Sequence, residues 1–211
     1  RHYAPVRKGI SLSFAVNNAG KLGVALDLSN AADVAKLHEL LDHADVVVTS
    51  GPEVAPGLSV QMVAENHPHL VVAAVTPYGL TGPWAGRVIT DQVLSATGGM
   101  TFKAGALNRE PLPAPSQFSN DVAASVATWA ALCALWQREE SGAGQLLDIS
   151  LNESLSQCAD WSLPNYTARV LAGNATPEFR NGSGPVYPIF KCSDGYVRLI
   201  VLSPPQWREM R

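Results

Sequence analysis

The stretch NDVAASVATWAALCALWQREESGAGQLLDISL, residues 120–151, decides the fold. Asn120 and Asp121 head a run of small and apolar residues, Val122 to Trp136, which reads as a helix. A polar turn, Gln137 to Gly144, comes next, and Gln145 to Leu151 reads as a strand. An acidic group where an alanine-rich helix begins has two readings. One is a plain N-cap, the commoner reason to find Asn or Asp there. The other is a carboxylate held ionised by free N–H groups and the helix dipole.

Working outward, Leu22 to Leu28 alternates and predicts a strand. Ser29-Asn30 caps a predicted helix through about His43, with Val34, Leu37, Leu41 and Ala44 at helical spacing. Asp45 to Thr49 predicts a buried strand, Gly51 to Gly57 a loop, and Ser59 to Asn66 a short helix. Leu70 to Thr76 predicts an all-apolar strand that runs into the turn-rich loop Pro77 to Trp84. Thr90 to Thr97 predicts a helix stopped by Gly98-Gly99, and residues 103–118 a proline-containing loop. Beyond Leu151 a helix is expected to about Arg169. Ile189–Lys191 and Tyr196–Leu202 then flank the hairpin turn Ser193-Asp194-Gly195.

Strands apolar on both faces and alternating with helices predict an α/β fold. Its sheet is open, mostly parallel and Rossmann-like, with helices on both faces. The loops at the carboxyl ends of such strands are the expected ligand site. Residues 1–172 are assigned to this large domain. Residues 173–211 are assigned to a linker and the start of a smaller α+β domain.

The chain has 211 residues, 46% hydrophobic and 16% charged, with a formal net charge of -3. No basic block marks a nucleic-acid partner. No apolar run approaches the ~20 residues that span a bilayer, so no membrane is expected. The first residues lack the apolar core and cleavage site of a signal peptide. Cys133, Cys158 and Cys192 are odd in number and widely spaced, which fits a reducing cytoplasm better than a disulfide framework. Cys133, within the alanine-rich helix, is expected to be a buried, inert thiol. The start without Met and the stop inside a helical pattern suggest a fragment.

Several motifs stand in order. They are Asn18-Ala19-Gly20-Lys21-Leu22-Gly23-Val24-Ala25-Leu26-Asp27-Leu28, Ala44-Asp45-Val46-Val47-Val48 and Tyr78-Gly79-Leu80-Thr81-Gly82-Pro83-Trp84. Then come Arg138-Glu139-Glu140-Ser141-Gly142-Ala143-Gly144-Gln145 and Asp194-Gly195-Tyr196-Val197. Together they resemble the family III CoA-transferases over nearly the whole chain. By that resemblance the chain is about the middle half of a member, without the first strand and most of the small domain. The resemblance implies two subunits threaded through each other as an interlocked homodimer. It implies an aspartate nucleophile that takes CoA from an acyl-CoA as an aspartyl-CoA thioester and passes it to a small carboxylic acid. It implies no metal, and no organic cofactor beyond coenzyme A itself.

The family's aspartate lies 25 residues before the Gln of its G-x-G-Q motif. That register falls on Asn120, one residue before Asp121. An amide cannot accept the acyl group, so Asp121 is the candidate nucleophile, and a cap without chemistry is the alternative. Lys21, Tyr78, Arg87 and Asn120 are the candidate CoA contacts. The family's arginine-bearing loop after A-D-V-L-V reads Thr49-Ser50-Gly51-Pro52-Glu53-Val54 here, which offers an anion less positive charge. The related α-methylacyl-CoA racemases place a His where Thr90 stands, which disfavours racemase chemistry. His67 and His69 flank Pro68 in what reads as an exposed turn rather than a metal pair. A catalytically silent homologue, one half of a larger or tandem protein, is the second expectation.

Overall fold

The computed structural model describes residues 3–105, 109–114, 117–158, 167–168, 170–173 and 189–210. The chain forms two compact units, Arg1–His43 and Ala44–Arg211.

The first unit opens with an antiparallel hairpin of β1 (Val6–Arg7) and β2 (Ile10–Ser11). It continues into α1 (Leu12–Asn17), whose cap is the Ser11 side chain. The helix α2 (Ala31–His43) forms as expected, with Asn30 Oδ1 accepting from the Ala32 N–H at 2.9 Å. Asp33, in its first turn, is held below its ordinary pKa by the Asp27 N–H and then by Lys36. The strand expected at Leu22 to Leu28 does not form. Alternation suits a strand, but a strand also needs a neighbour, and among the described residues nothing pairs with it. Leu22 is fully exposed and Val24 mostly so.

The second unit is built on a parallel sheet of order β3 (Val46–Thr49), β6 (Val71–Thr76), β7 (Leu146–Ser150). Val46 stands opposite Val71, and Val72 opposite Leu146. The central strand β6 packs against both α3 (Val60–Asn66) and α6 (Phe118–Ser141), and Val71 to Ala74 are fully buried. That explains the unbroken apolar run. In contrast β3, expected to be buried, is only half-buried because it is an edge strand; Val48 is 66% exposed. The loop expected at Gly51 to Gly57 folds into a small hairpin, β4 (Glu53–Ala55) with β5 (Leu58–Ser59).

After β6 come the turn-rich loop, α4 (Asp91–Thr97) and the short α5 (Met100–Lys103). The helix α6 then starts at Phe118, two residues earlier than expected. It runs through the first part of the expected polar turn to Ser141 and ends at Gly142. At 24 residues it is long and apolar enough, by length and composition, to cross a bilayer. Small polar residues interrupt its apolar pattern and hide this in the sequence. In the fold it covers the sheet instead. Ala131 and Ala134 pack on Val71, with Val46, Leu135 and Leu147 around them.

Small residues here let helix and strand approach closely, and Gly144 is the extreme case. Its N–H donates to the Pro68 carbonyl at 2.8 Å, and a Cβ at this position would run into the backbone carbonyl of Leu70. Beyond β7, α7 (Leu151–Gln157) is capped by Ser150. The expected hairpin pairs β8 (Ile189–Lys191) with β9 (Tyr196–Arg198), and α8 (Pro204–Glu209) closes the described chain. The assigned boundary near residue 173 adjoins residues 174–188, which lie outside the described residues. So does much of the helix expected to reach Arg169.

Candidate active site

Strand β6 feeds the loop, and the turn after α6 feeds β7, which runs parallel to β6. The start of α6 therefore lies at the carboxyl end of the sheet, where the loop after Thr76 also emerges. One apolar cluster fixes this end. Leu94, Ala123, Leu151 and Leu155 are buried, and Tyr78, Ile89, Phe118 and Val122 pack against them. Phe118 and Val122 bracket Ser119, Asn120 and Asp121 in the chain. The loop aromatic Tyr78 and the start of α6 thus share one support.

The start of α6 has no local cap. Gln117 takes a left-handed φ of 67° and contributes no side-chain hydrogen bond. Asp91, in the first turn of α4, supplies the cap instead. Its Oδ1 accepts from the Ser119 N–H at 3.1 Å and from the Ser119 hydroxyl. Ser119 is fully buried, so these bonds satisfy groups that water does not reach. This pairing spans 28 residues and left no local signal in the sequence.

Asp121 therefore closes the first turn of the helix rather than standing at its very start. Its carboxylate is exposed and accepts no hydrogen bond among the described residues, while its backbone carbonyl takes the Ser125 hydroxyl at 2.9 Å. Asn120 beside it is exposed too. Thr90, standing where a racemase-like site would carry His, uses its hydroxyl to cap α4 at the Val93 N–H. Two buried hydroxyls in this unit, Thr76 Oγ1 and Ser95 Oγ, find no partner among the described residues, and neither does His69 Nε2.

The loop is a built object. The Tyr78 and Trp84 rings meet edge to face, 4.9 Å apart, and the Arg87 guanidinium lies 5.5 Å from the Trp84 ring centre. Both Asp148 oxygens stand 3.0 Å from the Leu80 nitrogen and accept its N–H. Lys21 is exposed and belongs to the first unit. A cavity of about 300 Å³ in that unit is lined by Val24, Leu26, Lys36, Glu39, Leu40 and His43, none of them a predicted site residue.

Two expectations about side chains change. His67 is buried and His69 half-buried, because Leu70 enters β6 directly after them; their rings meet edge to face at 6.3 Å. Cys133 is exposed, because the buried stripe of α6 runs through Ala127, Ala131 and Ala134 instead. No group of three or more His, Cys, Asp or Glu that would hold a metal occurs among the described residues.

An open parallel sheet with its polar groups gathered at the carboxyl end defines the class. The model of CoA-transferase family III matches residues 1–211, and the chain belongs to that family. It is 33% identical over its full length to a probable CoA-transferase, Rv1866, of Mycobacterium tuberculosis, of which it covers 27%. It is 30% identical, over 91% of its length and 47% of the relative, to the succinyl-CoA:(R)-benzylsuccinate CoA-transferase subunit BbsE of Thauera aromatica. A crystal structure of a CAIB/BAIF family protein from Brucella suis superposes with a TM-score of 0.71 at 25% identity, covering 90% of this chain and 51% of that one. The chain thus spans about half, or less, of the length of these relatives.

Proposed function

We propose that the protein containing this chain is an acyl-CoA:carboxylate CoA-transferase with Asp121 as its nucleophile. The observation that carries this reading is the Asp121 carboxylate. It is exposed in the first turns of a long helix at the carboxyl end of the sheet and is unengaged among the described residues, while Asp91 does the capping.

In the proposed reaction a carboxylate oxygen of Asp121 attacks the thioester carbonyl, the C–S bond breaks, and CoA leaves as thiolate. The thiolate attacks the aspartyl carbonyl of the mixed anhydride and expels the first acid as carboxylate. The acceptor carboxylate then attacks the aspartyl-CoA thioester, and the thiolate released takes the acceptor's acyl group, restoring Asp121. Each step exchanges one activated acyl group for another. Lys21 and Arg87 are assigned to CoA phosphates, and Tyr78 and Asn120 to the cofactor and reacting group. The substrates are an acyl-CoA and a small carboxylic acid, the assembly an interlocked homodimer, and the compartment the cytoplasm.

A second reading is favoured by one observation. At ~100° per residue, Asn120 lies roughly 40° from the middle of the buried stripe Ser119–Ala123–Ala127–Ala131–Ala134, and Asp121 roughly 140° from it. Asn120 holds the family register and, though exposed, lies nearer the buried stripe than Asp121 does, so a different chain or half would supply the aspartate. The name of BbsE as a subunit fits that arrangement.

The test uses the full-length protein. It is incubated with a panel of acyl-CoAs, trapped with hydroxylamine, and examined by mass spectrometry at the peptide carrying Asn120–Val122. A label on Asp121 that vanishes in Asp121→Ala supports the first reading. A folded, CoA-binding protein without label supports the second.

A further inference from the structure

We infer that Asp148 is a positioning residue: from the neighbouring strand β7 it sets the shape in which the Tyr78–Arg87 loop meets the CoA nucleotide. For its ligand this rests on the CoA-transferase reading above.

Asp148 pairs with Ala74 in the parallel ladder, two residues before β6 ends. Its side chain reaches past that end to the loop, where both oxygens accept the Leu80 N–H at 3.0 Å. A bond to a charged acceptor is among the stronger ones in a protein. The backbone is shaped to receive it. Gly79 has a φ of +89°, and a Cβ there would come within 3.4 Å of Asp148 Oδ2. A second tie fixes the loop's entry, the Asn152 N–H donating to the Pro77 carbonyl at 3.1 Å. Asn152 is in turn bonded through its side-chain oxygen to the Thr97 hydroxyl at 2.8 Å.

Pro77 to Leu80 is therefore held at both ends, and the rest of the loop inherits that shape. The Tyr78–Trp84 pair and Arg87, whose N–H donates to the Trp84 carbonyl at 3.2 Å, stand on that turn. Trp84 and Arg87 are exposed, and no carboxylate lies in ion-pair reach of Arg87 among the described residues. An aromatic face beside an uncompensated guanidinium suits a nucleoside phosphate. Holding that pair in one shape before binding removes an ordering cost from the ligand's affinity.

The test compares wild type, Asp148→Ala, Asp148→Asn and Gly79→Ala in the full-length protein. CoA affinity is read by calorimetry and exchange of the Leu80 amide by NMR. Asp148→Ala is expected to weaken CoA binding about tenfold and to free the Leu80 amide. Asp148→Asn, which keeps an acceptor, should recover most of both. Gly79→Ala should weaken binding from the other side of the same contact. Unchanged affinity in a folded Asp148→Ala protein with a freed amide makes the contact merely structural and overturns the inference. A Leu80 amide that stays protected in that variant overturns it as well. If wild type itself does not bind CoA, the proposed function fails separately, and the loop-setting role of Asp148 is then decided by the amide alone.

Discussion

The two ends of α6 are secured in different ways. At its carboxyl end Arg138 donates to the His69 carbonyl at 3.0 Å and to Asp45 at 2.6 Å, and Gly144 lies against the backbone of Leu70. Those groups are consumed by the fold, although Arg138 and Gly144 belong to one of the motifs that resemble the family. At its amino end a single side chain from another helix, Asp91, holds Ser119, and the nearby acidic residue Asp121 stays outside the bonding pattern. A motif residue at one end is architecture. A less regular neighbourhood at the other end leaves a carboxylate to spare. Motif strength in a sequence therefore tracks packing as readily as chemistry.

Three substitutions break or sharpen that contrast. Gly144→Ala has the largest expected effect, because the added carbon meets backbone that has nowhere to move. A loss of more than about 4 kcal/mol, or failure to fold, is expected in urea titration of the full-length protein. A loss under about 1 kcal/mol would show that the turn can shift. Asp91→Ala should cost roughly 1–3 kcal/mol, since it leaves the buried Ser119 N–H and hydroxyl without their acceptor. It should also speed exchange of the Ser119 amide, and Asp91→Asn should restore part of both. No change in that amide would remove Asp91 from the account of the helix start. Arg138→Leu has the smallest expected effect, roughly 1–2 kcal/mol, because Asp45 is 73% exposed and water replaces the lost ion pair. CoA affinity should be unaffected. A large drop in affinity would mean that the two ends of α6 are coupled.

Much of the fold was legible because burial wrote itself into composition. Val71 to Ala74 are apolar at every position since β6 is covered on both faces. Ser59, Thr90 and Asn30 announced their helices because their caps are local. The features that stayed hidden are non-local. Leu22 to Leu28 has the alternation of a strand but, among the described residues, no partner to pair with. The true start of α6 is masked because Asp91 lies 28 residues from the serine it caps. Of the candidate site, Tyr78, Asn120 and Asp121 were named from motif and register, and Lys21 and Arg87 as cations that could meet phosphate. The reach of Asp148 to Leu80 needed coordinates because it joins segments 68 residues apart, and the edge-to-face meeting of Tyr78 with Trp84 because it depends on how the loop between them turns.

The borrowed cap has a consequence for modularity. Because Asp91 serves α6 from outside, that helix is not a portable part. A peptide spanning residues 117–141 carries the alanine stripe and the acidic residue, but it begins with bare N–H groups and a left-handed Gln117. Transplanting the helix into another scaffold means moving α4 with it, or writing in a serine or aspartate at position 117 to replace the missing neighbour. The smallest transferable piece of this end of the sheet is the pair of helices, not the helix that holds the carboxylate.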